Sequence, residues 1–323
     1  MFEKFTWNVN SDQVYSQKYG SQFTNMNTIN GLDKAVGKTF TMNAGFHQYV
    51  VKPSEDITSI YWDESSVIEV LSGRFVLDFS RGKDSSAIIR AQNIKIGGAK
   101  DLDASFEIQG CYNFHTDGSI SIKSNGTLYI NSLQNHFRFG DVHQTVNLEN
   151  NAKLSISANN TSATTCFVNG PIELNDESYA ELKVATLTHD ENTIYSLKDS
   201  ANLWVYADEI TSTKQETIFN LHSGKTQISI CGFTNEYCDI TSLGKGNADT
   251  PKARFNFTKK DGKNEGQIIL SCSFNMGETE TNLGALMFWL AANEMLCIDG
   301  NPANISDFNF NFDNDFLVIS LNN

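Results

Sequence analysis

Across residues 118–257 one short pattern of small, polar, large apolar, variable and large apolar residues keeps returning. It reads Gly126-Thr127-Leu128-Tyr129-Ile130, Ala152-Lys153-Leu154-Ser155-Ile156 and Ala180-Glu181-Leu182-Lys183-Val184, then Ala201-Asn202-Leu203-Trp204-Val205, Thr226-Gln227-Ile228-Ser229-Ile230 and Ala253-Arg254-Phe255-Asn256-Phe257. Side chains alternate faces along a strand, so the two large residues of each phrase point one way. The first large residues are separated by 26, 28, 21, 25 and 27 positions. Self-similarity at this period, with period-two phrases rich in β-branched residues, predicts a β-solenoid rather than a helical repeat. The expected fold is all-β: a single-stranded parallel β-helix, one coil per repeat, with turns of unequal length. Companion strands support it. Thr193-Ile194-Tyr195 and Thr217-Ile218-Phe219 lie 24 residues apart, so a second strand recurs in the same phase. A local hairpin across Asn125-Gly126 competes with this reading.

The flanks break the period. Residues 1–65 show no repeat and are expected to form an N-terminal cap or attachment segment, with the solenoid over 66–275. Residues 276–323 read as a C-terminal cap. Within it, 283–296 switches to helical spacing, with Leu286, Met287, Leu290 and Ala291 on one face and Asn282 as the N-cap. Phe308, Phe310 and Phe312, then Leu317, Ile319 and Leu321, predict two closing antiparallel strands. Over about residues 66–270 the architecture resembles the right-handed parallel β-helix class of pectin-acting enzymes, phage tailspikes and adhesin passengers, without the motifs of those families. The phrases do not recur every fifth residue, which excludes a pentapeptide repeat.

Composition adds bounds. The 323 residues include only four prolines and carry a net charge of −14. That balance argues against nucleic acid or an anionic membrane surface as partner, since phosphate contacts need clustered Lys and Arg. No basic region followed by an apolar run opens the chain, so no secretory signal is visible, and no run reaches the ~18 residues of a membrane span. The expected location is cytoplasmic or virion-associated. The six cysteines, at 111, 166, 231, 238, 272 and 297, match no zinc spacing and are expected to be buried free thiols.

Candidate chemistry is sparse. Paired carboxylates of the kind that cleave glycosidic bonds are sought at Asp101 and Asp103, Asp176-Glu177, Asp190-Glu191 and Asp208-Glu209, where an exposed acidic edge is the competing reading. His136 and His143 lack a third ligand, and no metal or cofactor is expected. The sharpest binding candidates are aromatic: Trp204 and Tyr129 at outward strand positions, with Tyr195 as a third. Flat rings of this kind pack against sugar faces. These observations point first to a non-enzymatic solenoid presenting a face to a glycan or protein partner. A polysaccharide-cleaving enzyme of tailspike type, lyase or glycoside hydrolase, comes second. A third reading is an interaction module that self-assembles end to end into a homo-oligomer.

Overall fold

The computed structural model describes residues 1–26, 35–53, 59–62, 65–80, 86–89, 91–98, 101–111, 113–115, 118–132, 136–140, 144–158, 165–189, 193–213, 216–245, 249–274 and 282–322. The chain divides into two compact units, Met1–Thr164 and Thr165–Asn323. Each is a parallel β-solenoid whose coils contribute strands to three sheets.

In the first unit the first sheet stacks Gln13–Ser16, the start of Thr39–Pro53, the start of Val67–Asp78, Asn93–Ile96, Ser119–Ile122 and Thr145–Leu148 in parallel register. The second stacks Gln22–Met26, the ends of the same two long strands, Ala104–Gln109, Gly126–Ser132 and Lys153–Ala158. Ser119–Ile122 and Gly126–Ser132 therefore belong to different sheets, and the hairpin across Asn125-Gly126 does not form. Parallel register puts like on like. Tyr49, Phe75, Phe106, Leu128 and Leu154 form one inward column, each fully buried. The ring of Phe75 stacks on Tyr49 at 6.0 Å and on Phe106 at 5.2 Å.

The ladder begins at Gln13, well inside the segment expected to be a cap. What closes this end is shorter. Phe5 inserts among Trp7, Tyr15, Tyr19, Phe40 and Tyr49 at ring separations of 5.1–6.4 Å, and Trp7 Nε1 donates to the Tyr49 hydroxyl at 2.6 Å. Aromatic edges cover the first coil's core, and the indole proton satisfies the hydroxyl of the fully buried Tyr49.

In the second unit, Pro171–Leu174, Ile194–Asp199, Thr217–Gly224, Ala253–Phe257 and Leu296–Ile298 make the first sheet. Tyr179–His189, Asn202–Ser212, Gln227–Cys231 and Gln267–Leu270 supply the second. Two details correct the sequence register. Leu203 stacks on Ala180, not Leu182, which faces Val205. Phe255 continues Phe219 in the first sheet, whereas Ile228 is followed by Ile268 in the second. The ends of the two long second-sheet strands continue past the corner into a third sheet. Thr165–Val168 pairs with Thr186 to His189, and these with Glu209 to Ser212.

The closing strands form as expected. Phe316–Leu321 pairs antiparallel with Gln267–Leu270 and with Phe308–Asp313, ending the second sheet. Helix α1, Leu283–Ala292, is capped by the Asn282 side chain, which accepts from the Ala285 N–H at 3.0 Å. It buries Leu286 and Leu290 and stacks Trp289 on Phe274 at 5.6 Å.

The aromatic column of the second unit gives a direct test. Phe219 is fully buried between Tyr195 at 5.1 Å and Phe255 at 5.0 Å. Phe219→Ala leaves a cavity that neighbouring coils cannot fill, and is expected to cost about 3–5 kcal/mol in urea denaturation. A loss under about 1 kcal/mol would show that the column does not carry the packing.

Candidate functional site

With the inward positions closed by packing, chemistry is left to the outward faces. In the second unit, Tyr179, Glu181 and Lys183 of one coil stand in register with Asn202, Trp204 and Tyr206 of the next. All are half-buried. The Trp204 and Tyr206 rings stack at 5.9 Å with 24° between planes. Lys183 Nζ lies 5.2 Å over the Tyr206 ring and 2.8 Å from a Glu181 carboxylate oxygen. That carboxylate also accepts from the Tyr179 hydroxyl at 3.2 Å. Burial raises the Tyr206 phenol, Cys231 and Glu181 add to the shift, and Lys183 opposes it, so the ring is neutral near pH 7. The result is a flat aromatic pair bordered by one carboxylate, one ammonium and one phenol, all held in place.

Tyr129 is half-buried on the second sheet of the first unit, in register between Glu107 and Ser155. Glu107 is held by Arg74, whose Nε and Nη2 donate to its two oxygens at 2.6 and 2.5 Å. Next to it runs a groove of about 420 Å³, lined by Phe46, Arg74, Asp103, Ser105, Thr127 and Lys153 among others. Sequence reading did not anticipate it. Its signal is a run of short polar residues between two long cations in one outward column: Arg74, Ser105, Thr127, Lys153.

Tyr195 does not belong with these aromatics. It is fully buried, because it occupies the inward column between Ile172 and Phe219. Its hydroxyl meets His189 Nε2 at 3.0 Å.

Three of the candidate acids, Asp101, Asp176 and Asp208, serve the backbone. Asp101 and Asp176 take left-handed conformations, with φ of 61° and 58°, at coil corners, a geometry that short polar side chains tolerate. Asp101 precedes the strand that starts at Ala104, so it shares no strand face with Asp103. One oxygen of the Asp208 carboxylate accepts the N–H groups of Phe233, Thr234 and Asn235 at 3.0, 2.7 and 2.7 Å. Glu177 and Glu209 are exposed. Asp190, Glu191 and His143 lie outside the described residues, as does the side chain of His136. Among the described residues, no three His, Cys, Asp or Glu side chains stand together to hold a metal ion, and no helix is long and apolar enough to cross a membrane. All six cysteines are free thiols, and all but the half-buried Cys231 are buried. Burial pushes the Cys231 thiol up to about 11, with Cys272 adding to the shift.

Comparison with protein-family models, curated proteins and solved structures finds no match for the chain.

His189 sets a pH dependence. Burial in the core pulls its imidazole down to about 3, against about 6.5 in an unfolded chain. Between those values the unfolded chain binds the proton and the folded one does not, so stability is full above about pH 6.5 and falls as pH drops toward 3. Going from pH 7 to pH 5 is expected to cost about 2 kcal/mol through this residue. His189→Gln removes that part of the dependence. Urea midpoints at the two pH values check it, and parallel losses in both proteins would rule it out.

Proposed function

We propose that this chain is a non-enzymatic β-solenoid that binds a glycan on the outward face bearing Trp204. The observation that carries the proposal is the stacked Trp204–Tyr206 pair, with Glu181, Lys183 and Tyr179 fixed around it. A pyranose has an apolar face and an equatorial rim of hydroxyls. The first matches an aromatic platform, and the second matches charged and phenolic groups able to donate and accept. Because these side chains already hold one another, little rotamer freedom is lost on binding, which favours affinity at a small face. The cleaving alternative has less support, since Asp208 is committed to three backbone N–H groups and Asp101 and Asp176 shape corners. A solenoid fold by itself specifies no activity.

A glycan array followed by a reducing-sugar assay on every hit tests the reading. Binding without sugar release is expected. Trp204→Ala should weaken it at least ~10-fold, a loss of about 1.4 kcal/mol, while leaving the melting temperature within a few degrees because the ring faces outward. Release of reducing ends would establish the enzymatic reading. Full affinity in Trp204→Ala, or binding only to a protein, would remove this face from a glycan role.

A further inference from the structure

We infer that the groove of the first unit is a separate binding site for an uncharged oligosaccharide chain lying along the solenoid axis. It uses none of the residues of the Trp204 face.

The register builds its shape. Gln48, Arg74, Ser105, Thr127 and Lys153 occupy one outward column on successive coils. Ser105 and Thr127 are short and the residues beyond them long, so the column sags in the middle into a trough of about 420 Å³. Rungs spaced ~4.8 Å apart make the run from Arg74 to Lys153 about 14 Å long. That suits an extended chain better than a compact metabolite. Volumes of this order are typical of ligand sites.

One end carries a single exposed aromatic residue. The strand Thr39–Pro53 shifts register between Asn43 and Gln48, so that four residues form a bulge opposite Gly73, with Ala44 and Gly45 buried and Phe46 turned outward. Phe46 sits on that bulge at 95% exposure and is among the residues lining the groove. The bulge lies close because Gly73 is opposite. A Cβ there would meet the His47 carbonyl oxygen at 2.6 Å, and its φ of +89° also favours glycine. An exposed phenylalanine held at the mouth of a polar trough costs solubility and contributes nothing to the core. A sugar face laid against it would remove that ring from water.

The charges select the class of ligand. Arg74 and Lys153 are offset by Asp103 in the lining and by Glu107, which already holds the Arg74 guanidinium. With cations and carboxylates balanced and a net charge of −14 on the chain, the groove has no excess positive field for a uronate, sulfate or nucleic acid. What remains is a mixture of donors and acceptors: guanidinium, ammonium, carboxylate, hydroxyl and the Asn125 amide. A neutral polyol can satisfy both kinds at once.

Titration calorimetry on the full chain tests this with cellohexaose, mannohexaose and maltohexaose as neutral probes and hexagalacturonate as an acidic one. At least one neutral probe is expected to bind with a dissociation constant of about 1 mM or tighter. Phe46→Ala should weaken it at least ~10-fold, Thr127→Trp should block it by filling the trough, and Trp204→Ala should leave it unchanged. Phe46 is exposed, so its loss leaves the fold intact. Binding of none of the neutral probes, preference for hexagalacturonate, or binding that survives both groove variants would overturn the inference. Loss in Trp204→Ala alone would assign the binding to the other face and remove the groove.

Discussion

Parallel strands in exact vertical register impose one condition on this chain. Every inward side chain must pack against the side chain one coil above and one coil below. Aromatic residues meet it by offset stacking, as Tyr195, Phe219 and Phe255 do with planes inclined by 8° and 20°. Aliphatic residues meet it by interlocking, as in the column Val51, Leu77, Ile108, Ile130 and Ile156. Each such residue contributes on the order of 1.5–3 kcal/mol by leaving water. Because a unit of this kind grows in one dimension, the gain recurs with every coil.

The corners answer the same condition from the backbone side. A coil must turn sharply just before its second-sheet strand without pushing a side chain into the coil below. Asn125 and Asn150 in the first unit, and Asp176 and Asp199 in the second, take φ near +60° there. A small buried residue follows, Gly126, Ala152, Ser178 or Ala201. At Gly126 a Cβ would come within 2.5 Å of the Ile96 carbonyl oxygen, so even alanine is too large. Asn151 ties one corner to the next: its amide donates to Asn125 Oδ1 and its Oδ1 accepts the Asn125 N–H, both at 2.8 Å.

This corner chemistry explains what was readable in the sequence and what was not. The spacing of Leu128 and Leu154, and of Tyr195 and Phe219, matches the true register because each pair is separated by one complete coil. The phrase at Ala180 slipped by two because Ala180 resembles a corner residue, whereas the corner is Ser178, two positions after Asp176. Reading the left-handed Asp or Asn as the anchor, instead of the small residue, would have fixed it. Phe255 was misplaced because the coil after Ile228 is longer: Cys238–Asp239, a 3-10 turn at Thr241–Leu243 and Ala253–Phe257 intervene before Ile268 returns to the column 40 residues later. The third sheet escaped notice because its inward residues include His189 and Ser212, and a strand with polar inward positions leaves no period-two signal. The first coils were hidden by length, since one 15-residue strand turns the corner without a clear break.

The candidate sites were less legible for a related reason. Register fixes the inward residues by packing but leaves the outward ones free, so an outward position carries no pattern unless its neighbours on adjacent coils are known. Trp204 could be placed outward from alternation alone, but its partner Tyr206 and the Glu181–Lys183 pair one coil away enter only through the ladder. The groove is a further step removed, because it exists only where Arg74, Ser105, Thr127 and Lys153 align across spacings of 31, 22 and 26 residues. Outward columns also show how the solenoid uses charge without a core to protect. Glu69 pairs with Lys95 at 2.9 Å and Lys52 with Asp78 at 2.8 Å, each between adjacent coils of one column. The more exposed Glu69–Lys95 pair adds little stability and mainly keeps neighbouring coils from repelling. Beside such a column Phe46 stands uncovered next to balanced charges, and neither packing nor charge neutralisation accounts for it, which is the ground for proposing a ligand site there.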